Sequence, residues 1–205
     1  MKTFVITLLT ITILLSSADT HGKAFCALRD PVAQIYQLYP QADGYRSLVR
    51  TITDDTRIQV MQRIPGQELH VDELGRHTLY VAMKNEQPIG IVHVRAEQSR
   101  WGLIEIAWAI DLDFNVRDFS FQRSRAPDNE IVLKQSFKSL IIGKNFANLS
   151  TYTDETGKVN HKEFHQKAKH APELSQVVLI NGLKTLLVTQ IAWAKELNQM
   201  TASNG

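Results

Sequence analysis

The chain has 205 residues, with 23 basic and 21 acidic side chains and a formal charge of +2. So even a balance gives no electrostatic case for nucleic acid or an anionic membrane surface as partner. The single cysteine, Cys26, excludes an intramolecular disulfide, so the fold must rest on its core.

The N-terminus reads as a secretory signal peptide over residues 1–18. Lys2 precedes an uncharged, mostly apolar run from Thr3 to Leu15, and Ser16-Ser17-Ala18 then supplies small residues for cleavage. Gly22-x-Ala24 is a second cleavage candidate. The run is shorter than the roughly 20 apolar residues that span a bilayer. Removing residues 1–18 deletes Lys2 and no acid, which lowers the formal charge from +2 to +1. The expected location is periplasmic or secreted. What remains is long enough for one domain with a substantial core, placed over residues 28–197.

Asp30 is a candidate cap for a helix begun by Pro31 and carried by Val32, Ile35, Tyr36, Leu38 and Tyr39. A second helix is expected after Asp54 or Asp55, with Ile58, Met61 and Ile64 as its stripe and Pro65-Gly66 as its stop. The period then changes. HTLYVAMK, IGIVHVRA, GLIEIAWAID and NVRDFSFQRS are rich in β-branched and aromatic residues and are separated by plausible turns. Alternation puts Ile104, Ile106 and Trp108 on one face of the third strand, and Glu105 and Ala107 on the other. The fourth strand is irregular enough to predict a bulge. Helical period returns in NEIVLKQSFKSLIIGK, closed by Gly143, then in the short HKEFHQKAKH. A final helix runs from Pro172 to about Leu197. The fold class is therefore α+β: an antiparallel meander of four strands or more, packed on one face against N- and C-terminal helices.

The succession YVAMKNEQPIGIVHV, WGLIEIAWAIDLDFNVRDFSFQRSR and FKSLIIGKNF resembles the FMN-binding domain of peripheral flavin subunits in Rnf- and Nqr-type redox complexes. In that family a Ser-Gly-Ala-Thr run before the last helix carries flavin mononucleotide (FMN) through a phosphoester on its Thr. Aligned on the glycine, this chain writes Asn181-Gly182-Leu183-Lys184, and an amine cannot form that ester. Thr185 is one residue out of register, about 100° away on a helix. The resemblance therefore implies non-covalent FMN, with Asn181, Gly182, Lys184 and Thr185 around the phosphate and Trp101 as an aromatic wall. It also implies an electron carrier or accessory rather than a catalyst, with a membrane redox complex or another envelope protein as partner. The residues admit a second reading: a helix already running from Pro172 would make Gly182 a packing residue in its middle. The rival function is a cofactor-free binding module that keeps only the scaffold, using its sheet face or a patch of Arg76, His77, His93 and Arg95.

Two further stretches have spacing that invites a metal. His161 and His165 lie four apart on one helix face, but lysines at 162, 167 and 169 oppose a cation and favour a solvated face. YTDETGKVNHKEF has the rhythm of a calcium loop but begins with Tyr152 where a carboxylate belongs, so it reads as a hydrophilic turn before a helix N-capped by Asn160. No metal ligand is assigned.

Overall fold

The computed structural model describes residues 30–202; the signal-like segment, both cleavage candidates and Cys26 lie outside them. Five strands, β1 (Gly44–Ile52), β2 (Gly75–Lys84), β3 (Gln87–Ser99), β4 (Gly102–Ile110) and β5 (Val116–Arg123), pair antiparallel in chain order. This is the expected α+β meander, with β1 as an additional edge strand. Register shifts between β4 and β5, at Glu105/Ile106 and Ala109/Ile110, supply the bulging expected there.

Both faces of the sheet are covered, where one was expected. On the smaller side α1 (Val32–Leu38) sets Ile35, Leu38 and Tyr39 on Tyr80, Ala82, Val92, Val94, Ala107 and Ala109. The Tyr39 hydroxyl donates to the Ile110 carbonyl at 2.6 Å and ties this helix to the sheet. Asp30 does not cap α1; its carboxylate accepts from the Tyr80 hydroxyl at 2.6 Å. On the other side Leu79, Val81, Ile91, Ile104, Ile106 and Trp108 join the main core. Trp108 is 1% exposed, and the strand alternation read for β4 holds.

That core is organised around α7 (Pro172–Ala192), flanked by α2 (Asp54–Arg63), α3 (Asn129–Leu133), α5 (Phe146–Ser150) and α6 (Lys162–Ala168). Every residue from Val178 to Thr189 is buried. The helix has the length and apolarity to cross a membrane, but 78% of its most apolar window is buried inside the protein. A helix that is apolar nearly all round belongs in such an interior. A break at Trp193 separates α7 from α8 (Ala194–Ala202), so the single helix expected to Leu197 is two.

Three local expectations are revised. Thr53, not Asp54 or Asp55, caps α2, and the helix buries Thr56 and Val60 while Ile58 is exposed. The helix expected from Asn129 to Gly143 is interrupted at Lys134, whose extended ψ of 145° separates α3 from α4 (Gln135–Lys138). His161, not Asn160, precedes α6, with no side-chain cap.

Candidate functional site

Where α7 crosses the sheet, a stripe of polar side chains on the helix meets a polar column on β3. Arg95 Nη2 donates to Glu73 Oε2 at 2.6 Å, and both residues are buried. Glu73 ends a 3-10 turn, Val71–Glu73, and also accepts the His70 backbone amide at 2.9 Å. Lys184 Nζ donates to Glu97 Oε1 at 2.9 Å and lies 3.6 Å from Glu73 Oε1. Two carboxylates thus face two cations, the compensation that makes buried charge tolerable. Burial raises the Glu97 carboxyl, with Lys184 pulling the other way, and Glu97 Oε2 has no partner.

The two buried histidines beside these charges, His77 on β2 and His93 on β3, stay neutral. Burial, then the Arg95 charge, lowers His77 to about 4, although its Nε2 meets the Glu73 carbonyl at 2.9 Å. Burial, Arg95 and His77 hold His93 well below its ordinary value. Thr189 donates its hydroxyl to the Thr185 carbonyl at 2.6 Å, so its oxygen must accept from His93 Nδ1, 2.8 Å away. That assignment leaves His93 Nε2 a bare lone pair, buried without a partner. The expected anion-binding patch is therefore split: Arg76 is exposed, while His77, His93 and Arg95 are buried in an internal network in which Arg95 meets the Glu73 carboxylate, His77 the Glu73 backbone carbonyl and His93 the Thr189 hydroxyl.

Asn181, Gly182, Lys184 and Thr185 are brought together, but in the middle of α7 rather than at its start. Asn181 Oδ1 accepts from Trp108 Nε1 at 2.7 Å, and Thr185 donates to the Asn181 carbonyl at 2.7 Å. A Cβ on Gly182 would stand 2.7 Å from Trp108 Cη2, so the glycine exists for close packing on β4. Backbone amides here belong to the helical ladder, and Lys184 is committed to carboxylates. These residues do not fit a phosphate cradle.

The free amides of α7 are at its other end. Ser175 is the first residue to bond within the helix, to the Ala171 carbonyl, and no side chain caps the terminus. Helix geometry leaves the amides of Glu173 and Leu174 without intrahelical acceptors. An open cleft of about 530 Å³ lies against this terminus. Val159, Phe164, Ala168 and Pro172 supply apolar wall, and Lys158 and His165 supply basic side chains. Glu173 is the acid in the lining, and Arg100 Nε pairs with it at 3.1 Å. The volume falls within the range of small-molecule sites, and the donor set suits an anionic group attached to an apolar body.

Trp101 stands apart from this cleft. It lines another, of about 210 Å³, with Leu103, Arg123 and Arg125. His161 packs its ring 4.8 Å from that of Tyr152, while His165 faces the larger cleft. Among the described residues, no three His, Cys, Asp or Glu are grouped to hold a metal. In the calcium-like stretch Asp154 Oδ1 is spent on the Thr156 amide and hydroxyl, at 2.8 and 2.7 Å, which is a self-contained turn.

Glu73, Glu97 and Lys158 were missed by the sequence reading. Glu97 carried a signal, since alternation places it on the face of His93 and Arg95; Glu73 had only its capping-box spacing from His70. A scan of protein-family models finds no match to the chain, and a search of curated proteins finds none either.

Proposed function

We propose that this chain binds FMN, or a ligand of that chemistry, non-covalently at the N-terminal end of α7, as an electron-carrying accessory of an envelope redox system. The observation that carries the reading is the cleft of about 530 Å³ at a helix terminus with uncapped amides, beside Lys158 and His165. Helix N-termini attract phosphate through free amides and the helix dipole. The apolar walls exclude water from the ligand's body, and the ion pair with Arg100 restrains Glu173 and offsets its repulsion of an anion. A bound flavin supplies reversible electron transfer; the protein supplies position and field.

Titration of the purified chain with FMN, followed by flavin fluorescence, tests the proposal. Saturable binding at one site is expected, with riboflavin, which lacks the phosphate, at least tenfold weaker. Lys158→Glu should weaken FMN binding about tenfold, the scale of one charge-assisted hydrogen bond. Glu173→Gln should strengthen it, and Ala168→Trp should abolish it by filling the cleft. Absence of binding, or binding indifferent to these three substitutions, refutes the proposal.

One observation favours a second reading. The place that the family resemblance assigns to flavin phosphate is filled by the Lys184 network and by Trp108 packing on Gly182. A chain that ignores FMN would be a cofactor-free binding module on the same scaffold.

A further inference from the structure

The turn between β3 and β4 is held rigidly. Ser99 donates its hydroxyl to the Gly102 carbonyl at 2.7 Å, and the Trp101 amide donates to Ser99 Oγ at 3.1 Å. The Arg100 guanidinium lies over the Trp101 ring, 4.5 Å from its centroid, while its Nε is paired with Glu173. The indole is thus fixed on a partly open surface. At the end of β5, Arg123 stands opposite Glu105 in register and forms an ion pair with it at 3.0 Å. Glu105 is only 3% exposed, so it anchors Arg123 from below while that arginine remains accessible. One nitrogen of Arg123 makes this pair, and a guanidinium has five donor hydrogens. Arg125, two residues on, is exposed and has no carboxylate partner among the described residues.

We propose that the cleft formed by these side chains is a second binding site, separate from the one proposed at α7, for a small aromatic oxyanion: a single ring bearing a carboxylate or a phosphate monoester. At about 210 Å³ it is below the size of a flavin site and suits a single ring bearing one acid group. Trp101 and Leu103 offer apolar surface to the ring. Arg123 and Arg125 offer two planar forks to the acid, the geometry that favours arginine over lysine for carboxylate and phosphate. Gly102, without a side chain, leaves the mouth clear. The lining contains no acid, and Glu105, which pairs with Arg123, is buried.

Tryptophan fluorescence reads this site directly. Trp108 and Trp193 are 1% and 0% exposed, so a ligand added from solution acts on Trp101. Benzoate, phenyl phosphate and inorganic phosphate are the probes, titrated against the intact chain. Benzoate or phenyl phosphate should saturate the signal, and their ratio tells carboxylate from phosphate preference. Inorganic phosphate, with no ring to stack, should bind at least tenfold more weakly. Arg125→Ala should weaken the aromatic ligand about tenfold with unchanged circular dichroism, and Trp101→Phe should retain binding by calorimetry. Lys158→Glu, in the α7 cleft, should leave it unchanged. No saturation by either aromatic anion overturns the proposal, as does equal affinity in Arg125→Ala. Loss of binding in Lys158→Glu would place the ligand at α7 and overturn it too.

Discussion

Replacing Lys184 by methionine tests whether the middle of α7 is an ionic network or a vestige without energetic weight. The substitution keeps the unbranched apolar stem, so little volume is lost. What disappears is the ammonium 2.9 Å from Glu97 and 3.6 Å from Glu73. Glu73 keeps Arg95, but Glu97 is left with neither oxygen bonded, because Oε2 has no partner already. Removing one member of a buried pair costs about 3–5 kcal/mol. Glu97 retains 13% side-chain exposure, and its carboxyl is already biased towards protonation, so we take the lower end, about 3 kcal/mol at pH 7. With a urea dependence of about 2 kcal/mol per molar, the unfolding midpoint should fall by about 1.5 M. Protonation of Glu97 relieves the defect, so the loss should shrink to about 1 kcal/mol near pH 4.5. Adding Glu97→Gln should recover at least half of the pH 7 loss, a coupling of about 1.5 kcal/mol in the double-mutant cycle. A single-variant loss below about 1 kcal/mol at pH 7, or strict additivity in the cycle, would refute the network as described.

Gly182→Ala opposes two effects: the alanine gains about 1 kcal/mol of helix propensity, but its methyl meets the immobile Trp108 ring at 2.7 Å. Overpacking of this kind costs about 1–3 kcal/mol, so a net loss of up to about 2 kcal/mol is expected by urea unfolding, and a gain would refute close packing as the reason for the glycine. The third expectation is for pH. His77 titrates at about 4 when folded against an ordinary 6.5, so the unfolded chain binds the proton first and stability falls as pH drops from 6.5 to 4. Two and a half units amount to about 3 kcal/mol, and His93 contributes with the same sign. Glu97 acts oppositely, losing stabilisation as pH rises from 4.5 through its raised folded value. His77→Gln, which keeps a donor for the Glu73 carbonyl, should therefore shallow the acid-side loss in urea titrations. Parallel curves for the two proteins would contradict a neutral buried His77.

How much of this was legible depended on whether the deciding contact was local. The face assignment of Ile104, Ile106 and Trp108 needed only a period of two, and one sheet face of that strand does enter the main core. Strand β1 was missed because it is an edge strand whose side chains are mostly exposed or half-buried, so Tyr45, Leu48 and Val49 show no clean alternation. The stripe chosen for α2 failed similarly: Ile58 is apolar by type, yet Val60 turns inward. Grouping of His77 with His93 and Arg95 was visible from the hairpin, whereas Arg76 alternates to the exposed face. The chemistry of the group was not visible, because the compensating Glu73 sits 22 residues before Arg95 and Lys184 lies 87 residues beyond Glu97. Those are tertiary contacts with no periodic signature.

The displacement of the proposed ligand site along α7 follows from where a helix can offer hydrogen bonds. A glycine in such a stretch admits either a backbone exposed to phosphate or close packing in mid-helix, and inside a continuous helix each amide is already bonded to the carbonyl four residues earlier. Only the first turn has amides to spare. The proposed phosphate contact is accordingly placed at the helix start, Pro172, and not at the glycine, and the cleft with Lys158 and His165 lies at that start. The mid-helix polar residues then acquire a different role. Asn181, Lys184 and Thr189 form the polar stripe of an otherwise apolar helix, and each meets a distinct partner: Trp108, Glu97 and His93. An all-apolar α7 could slide or rotate on the sheet at small cost. With these pairs in place, a shift by one turn would strand Lys184 against apolar side chains and leave Glu97 unpaired. Buried polar pairs can specify register in this way even where their net contribution to stability is small. By holding α7 in one register, the network fixes where its N-terminal amides stand relative to Phe164, Lys158 and the rest of the cleft.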